Sequence, residues 1–230
     1  MDSGDDIDMS QIMCKTRIGL LMAAVGLGCL LFTLHTEARS QERDDKGFVP
    51  LFNGQDWSGW ETTGNWAFGP DGVLILQPKP GRLRLFPDYK SFLWSKASYD
   101  DFVLDLEFKV AENGNSGVFV RSSSQRSYLQ TQIRDSHGKA GPLRNDDCGA
   151  VVGVAAPHKN MSKPAGQWNR MIITCQQDRM QVELNGEEVI NLDLTESQRT
   201  RKVRSGRIGF ENKNSPVSFR NVRIKVLPAG

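Results

Sequence analysis

Between Phe102 and Val110 the chain alternates strictly. Phe102, Leu104, Leu106, Phe108 and Val110 are apolar and are interleaved with Val103, Asp105, Glu107 and Lys109. A period of two predicts a strand with one buried face. Asn113-Gly114 then supplies backbone that tolerates positive φ, so the chain turns. Gly117 to Arg121 predicts a returning strand, with Val118 and Val120 on one face and Phe119 and Arg121 on the other. A third strand, Tyr128 to Asp135, sets Tyr128, Gln130, Gln132 and Arg134 opposite Leu129, Thr131, Ile133 and Asp135. Strands that present Arg, Gln and Tyr together form one wall of a polar-ligand cleft, and this wall is the predicted functional face.

The same patterning recurs along the chain. Asn65–Phe68 and Val73–Leu76 flank Gly69-Pro70-Asp71-Gly72 and predict a hairpin. Arg82–Phe86, Ser91–Trp94 and Cys148–Val154 read as further short strands. Asn169–Cys175, Arg179–Leu184 and Glu187–Leu192 follow, the last two joined by the hairpin dipeptide Asn185-Gly186. Arg207–Glu211 and Val217–Val226 close the domain. After the first 38 residues no helical periodicity is present beyond one turn at Thr195–Lys202. A dozen short strands with regular turn signals predict an antiparallel β-sandwich or barrel. Residues 136–145 and 155–166 read as irregular loops, and long loops without structure of their own often carry function.

The N-terminus breaks this pattern. Lys15 and Arg17 precede an apolar run from Ile18 to Leu34, and Thr36-Glu37-Ala38 offers small residues for cleavage. That is an export pattern, with an uncleaved anchor as the alternative. Residues 39–46 read as a linker and 47–228 as one domain, exported to the periplasm, envelope or exterior. The 230-residue chain has net charge +2. Without residues 1–38 it keeps 27 basic against 22 acidic side chains, mildly basic and too scattered to argue for nucleic acid. The one basic cluster, Arg199 to Arg207, reads as a solvated loop. Cys148 and Cys175 remain in the domain. An oxidising compartment permits a disulfide between them, and a buried free thiol suits the strand pattern around Cys175 equally. Asp146-Asp147 is a weak signal for calcium or another divalent metal. Asn160-Met161-Ser162 matches a glycosylation sequon, a tripeptide common by chance. No nucleophile elbow, phosphate loop or HExxH motif is present.

Several landmarks occur in order: Leu51-Phe52-Asn53-Gly54 with Trp57-Ser58-Gly59-Trp60, Asp101-Phe102, Gly114-Asn115-Ser116-Gly117-Val118 leading to Arg121, and Gln132-Ile133 with Asp135. They continue through Gly149-Ala150, Ala156-Pro157, Lys163-Pro164-Ala165-Gly166 with Trp168-Asn169, Leu184-Asn185-Gly186, and Phe219 to Ile224. Together they resemble the secreted DUF1080 family, some members of which are described as 3-keto-glycoside hydrolases or lyases. The resemblance implies a concanavalin-like jelly roll, two antiparallel sheets of which one binds carbohydrate. It also implies a reaction. The C3 ketone of an oxidised sugar acidifies the proton on C2, a base removes it, and the C1 substituent leaves from the enolate. Such chemistry needs a base, an enolate stabiliser and an acid for the leaving group.

On that resemblance Asp135 and His137 are the candidate base or acid, with a strand-end turn and an exposed loop as their plain readings. Arg121 is the candidate clamp for hydroxyls or the enolate oxygen, against a salt bridge to Asp105 or Glu107. Asn115, Gln130, Gln132 and Lys163 are candidate substrate contacts, and His158 is a weaker one. Trp94 and Tyr128 are candidate stacking rings or core aromatics. Two positions depart from the family pattern, which has Glu where Gln130 and Gln167 stand. An amide cannot accept a proton as a carboxylate does, so a non-catalytic carbohydrate-binding module is the alternative function, and an envelope interaction domain a third.

Overall fold

The computed structural model describes residues 46–79 and 88–228. The leader, most of the linker and the strand expected at Arg82–Phe86 lie outside the described residues. In chain order the strands are β1 (Val49–Pro50), β2 (Trp60–Glu61), β3 (Trp66–Phe68), β4 (Leu74–Leu76), β5 (Leu93–Tyr99), β6 (Phe102–Val110) and β7 (Asn115–Ser124). They are followed by β8 (Ser127–Arg134), β9 (Asn169–Gln176), β10 (Arg179–Leu184), β11 (Glu187–Asp193), β12 (Gly206–Phe210) and β13 (Val217–Val226). The chain forms the expected two-sheet antiparallel sandwich of the jelly-roll kind. One sheet runs β11-β10-β9-β6-β13-β4-β3, with β1 added on β13. The other runs β2-β5-β12-β7-β8.

The core lies between the sheets, where the inward halves of each alternation meet. Phe102, Leu104, Leu106 and Phe108 of β6 face Val118 and Val120 of β7, Leu129 and Ile133 of β8, and Ile208 and Phe210 of β12, all buried. Burying side chains of this size contributes about 1.5–3 kcal/mol each. β6 pairs with β9 and β13, whereas β7 pairs with β8 and β12. The turn at Asn113, whose φ is 54°, therefore carries the chain from one sheet to the other. The three successive strands do not make a single wall; only β7 and β8 share the predicted face.

Residues 148–155 correct another expectation. Cys148–Val154 is not a regular strand. It is an irregular segment lying along β8, buried over residues 148–151 and bonded through Gly149 N to Gln132 O, Gln132 N to Ala150 O and Val152 N to Gln130 O. Gly149 and Gly153 at φ 86° and 69° break the extended repeat while the segment still satisfies the edge of β8.

Cys148 and Cys175 are free thiols, both buried. Burial pushes each up to about 12. The thiolate is the reactive form, so neither thiol reacts in the folded protein. Peptide mapping after thiol alkylation is expected to find both positions unmodified in native buffer and modified after denaturation. Native labelling of either would overturn their placement.

Candidate functional site

The outward face of the five-stranded sheet carries the side chains that alternation predicts. On β8, Leu129 and Ile133 enter the core, which leaves Gln130 and Gln132 on the outside. On β12, Ile208 and Phe210 point inward, so Arg207, Gly209 and, one residue past the strand's end, Glu211 share the outer face. The register lays these strands side by side. Gly117 opposes Gln132, Phe119 opposes Gln130, and Glu211 N donates to Gly117 O at 2.8 Å.

The result is a continuous polar row. Gln130 Nε2 donates to Glu211 Oε2 at 2.9 Å and approaches Gln132 Oε1 at 3.4 Å. Gln132 Nε2 donates to Asn115 Oδ1 at 3.2 Å. Lys213 Nζ is 3.1 Å from Glu211 Oε1. Gly117 leaves the space this row needs, since a Cβ there would stand 2.6 Å from Gln130 Nε2 and 3.2 Å from Glu211 Oε2. Glu211 is only 2% exposed. Burial pushes its carboxyl above the ordinary 4.5, against the opposing pull of Lys213 and Gln130. Among the described residues it is the one carboxylate moved upward; Asp56, Asp105, Asp146, Glu187 and Asp193 are all held down. A desolvated carboxylate with a perturbed pKa is a recognised signature of functional chemistry.

Beside the row stands an aromatic group. Phe119 packs on Tyr128 with centroids 4.9 Å apart, on Phe92 at 5.4 Å and on Trp94 at 5.5 Å. Tyr89 packs on Phe92 at 5.2 Å. Its hydroxyl is raised by burial first, then by Tyr128, with which it hydrogen-bonds, and by the charge of Glu211. Tyr89 therefore stays protonated and lies within the electrostatic reach of Glu211. Trp94 and Tyr128 stand on the predicted face, as aromatics of one cluster.

Arg121 is not part of this face. By strict alternation it would project beside Phe119, but its φ is 49° and the β7–β8 register shifts between Val120 and Ser124. This bulge turns the side chain inward, where it is 1% exposed. Arg121 Nε donates to Asp100 O at 2.7 Å, Nη1 to Gln177 O at 3.0 Å and Nη2 to Asp101 Oδ1 at 2.9 Å. It ties β7 to the β5–β6 and β9–β10 turns. It lies six residues from Asn115 along β7, about 20 Å at the usual rise. The expected clamp is a structural tie, and its partner is Asp101 rather than Asp105 or Glu107.

Asp135 and His137 come together, but apart from the polar row. Both line a shallow basin of about 270 Å³ with Arg134, Lys139 and Asp147. β8 ends at Arg134, and Asp135 Oδ2 accepts the Asn113 N–H at 3.0 Å, fastening the β6–β7 turn. His137 Nδ1 lies 2.7 Å from Ser162 O, so that nitrogen donates. Lys163 is exposed; its ammonium donates to Trp168 O at 3.1 Å and its amide to Asn169 Oδ1 at 2.9 Å. It therefore fastens its own loop. Gln167 is exposed in the same loop, and its carbonyl accepts from Asn169.

The acidic pair is already neutralised. Asp146 binds Arg144 and Arg134, and is held at about 2 chiefly by Arg144. Asp147 pairs with Lys139 and accepts the Arg144 N–H. Among the described residues no three His, Cys, Asp or Glu side chains lie close enough to hold a metal ion. Asn160 is likewise engaged, donating to Ser136 O at 2.6 Å.

The structure thus assembles Asn115, Gln130 and Gln132 from the predicted set and adds Glu211. The signal for Glu211 was present in the parity of Arg207 to Glu211. What was missing was the register that sets β12 beside β7.

Comparison with known proteins gives a consistent picture. Residues 47–225 match the family model described as the 3-keto-alpha-glucoside-1,2-lyase-like domain. A 3-keto-disaccharide hydrolase of Bacteroides thetaiotaomicron is 23% identical over 233 aligned positions, covering 80% of each chain. A candidate glycosyl hydrolase of known structure from Parabacteroides distasonis aligns with a TM-score of 0.65 at 26% identity, over 78% of this chain and 99% of that one. The carbohydrate binding module CBM66 of Bacillus subtilis aligns with a TM-score of 0.53 at 19% identity, over 73% and 95%, a likeness of fold.

Proposed function

Since the chain belongs to the 3-keto-alpha-glucoside-1,2-lyase-like domain family, we propose that it cleaves 3-keto-glycosides, with Glu211 as the base that takes the C2 proton. The observation that carries this reading is the buried Glu211 carboxylate, raised in pKa, on the same face as Gln130, Gln132 and Asn115. A carboxylate stripped of water is a stronger base toward a carbon acid than one in solution, because its ionised form has less hydration to lose.

The steps follow from the substrate's chemistry. Glu211 removes the C2 proton next to the C3 ketone and becomes a carboxylic acid. The electron pair delocalises onto the ketone oxygen, near which the Lys213 ammonium and the side-chain amides supply positive potential. The enolate re-forms the ketone, the C1–O bond breaks, and the leaving oxygen takes a proton from the Tyr89 hydroxyl or from water. Water added across the resulting C1–C2 double bond completes a hydrolysis; without it the reaction is a lyase elimination. The glutamine at position 130 is compatible with this scheme. A second carboxylate 2.9 Å from Glu211 would have to share its proton, whereas the amide donates one.

The assay incubates the protein with a 3-keto-glucoside in D₂O and follows aglycone release together with deuterium entering C2. Sugar binding without release or exchange, at high protein concentration, would leave a carbohydrate-binding module and sink the enzyme. We further propose that residues 1–38 direct export, so that this activity works outside the cytoplasm; N-terminal sequencing of the processed protein checks it.

A further inference from the structure

The same outer face continues past the aromatic group into a cavity of about 410 Å³. Small-molecule sites run from about 300 to 1,000 Å³. Trp94 forms one wall. Gly209 fixes how that ring lies, because a Cβ there would stand 2.3 Å from the indole. The ring thus packs flat on the β12 backbone. Its N–H donates to Tyr89 O at 2.7 Å, Phe92 stacks on it at 5.9 Å and Phe119 meets it edge-on. This is a held indole rather than a mobile surface ring. Around it stand Thr62, Ser123 and Gln125, side chains that both donate and accept hydrogen bonds. Arg207 flanks the ring at 5.6 Å, donates to Ser95 O and pairs with Glu61 at 2.6 Å, so its charge is already answered.

A rigid aromatic plane with a rim of hydroxyls and amides matches a pyranose, which has one face of C–H groups and a rim of hydroxyls. The cavity also adjoins the proposed base. Trp94 lies across Gly209, which precedes Glu211 by two residues, about 7 Å along extended chain. Tyr89 links them, since it lines the cavity and senses the Glu211 charge.

We infer that this cavity is the subsite for the leaving half of the glycoside, and that it holds a pyranose stacked on Trp94. The assignment rests on the reading of Glu211 as the reaction centre, but it has a binding consequence of its own. Tyr89 is then placed between the two halves, beside the oxygen that leaves.

The test fills the cavity from its exposed rim with Ser123→Trp and, separately, Gln125→Trp, each checked for folding by circular dichroism. kcat/KM is measured for a 3-keto-disaccharide and for methyl 3-keto-glucoside. The unmodified protein is expected to prefer the disaccharide at least tenfold, and both variants to lose most of that preference. No preference in the unmodified protein, or an equal preference in the variants, overturns the subsite. If neither substrate is cleaved, Glu211 is not a catalytic base, and the subsite is judged by NMR titration with unoxidised cellobiose. Binding that weakens at least tenfold in both variants supports it; no binding, or binding they leave unchanged, overturns it.

Discussion

Glu211→Gln is expected to lower kcat for aglycone release by roughly a hundredfold to ten-thousandfold, the usual contribution of a positioned base. KM should change little. The amide has the carboxylate's shape, and its carbonyl oxygen can still accept the Gln130 N–H that Glu211 Oε2 accepts now. The pH profile of the unmodified protein provides a second readout. The base works only when ionised, so kcat/KM falls as pH drops through the Glu211 pKa. Burial raises that pKa, so the falling limb lies above the ordinary carboxylate value of 4.5. Stability follows the same linkage. The raised folded-state pKa means that protonated Glu211 is favoured by the fold. Its contribution is fully present below the unfolded pKa and is lost as pH rises through the folded pKa. The glutamine variant is not subject to that loss, so its stability should decline less between acid and neutral pH. A glutamine variant that releases aglycone at the parent rate would remove Glu211 from the mechanism.

Arg121→Ala is expected to destabilise the sandwich by about 3–5 kcal/mol, the cost of breaking a buried ion pair by removing one partner. A domain of ordinary stability has about 5–15 kcal/mol in all, so the loss is large. It corresponds to a fall in melting temperature of roughly 10 °C. The reasoning rests on three acceptors gathered by one guanidinium: Asp100 O, Gln177 O and the Asp101 carboxylate. Asp101 also accepts the Gln177 N–H at 2.8 Å, so the variant frees two turns from a common anchor. Lysine should not rescue it, because one ammonium cannot reach all three in the planar arrangement of an arginine. Urea denaturation measures the loss. At low temperature, where the variant is folded, its aglycone release per folded molecule should match the parent. A variant as stable as the parent but inactive would return Arg121 to the catalytic site.

These two expectations divide along a line that also separates what was legible in the chain from what was not. Gln130 and Gln132 share an outer face because side chains in a strand alternate, and no bulge interrupts β8 between Tyr128 and Arg134. The Asn185-Gly186 and Gly69–Gly72 hairpins form where their dipeptides place them, since turn chemistry is local. Arg121 shows the limit of the same rule. One residue in the left-handed region shifts the phase of everything beside it, and alternation alone cannot announce which non-glycine residue will adopt it.

By itself the sequence determined the all-β class, the strand positions after Trp168, the turn positions and the outward amide pair on β8, because each depends on periods and dipeptides confined to a few residues; the two-sheet sandwich was legible only through the family landmarks. Only the tertiary structure decided that β6 and β7 belong to different sheets, that 148–155 is an irregular segment along β8, and that Arg121 points inward. It alone set β12 between β5 and β7, which brings Glu211 to Gln130 across 81 residues of chain. Strand neighbours distant in sequence are chosen by how whole faces pack, and that choice is also what removes Glu211 from water and gives its carboxylate a raised pKa.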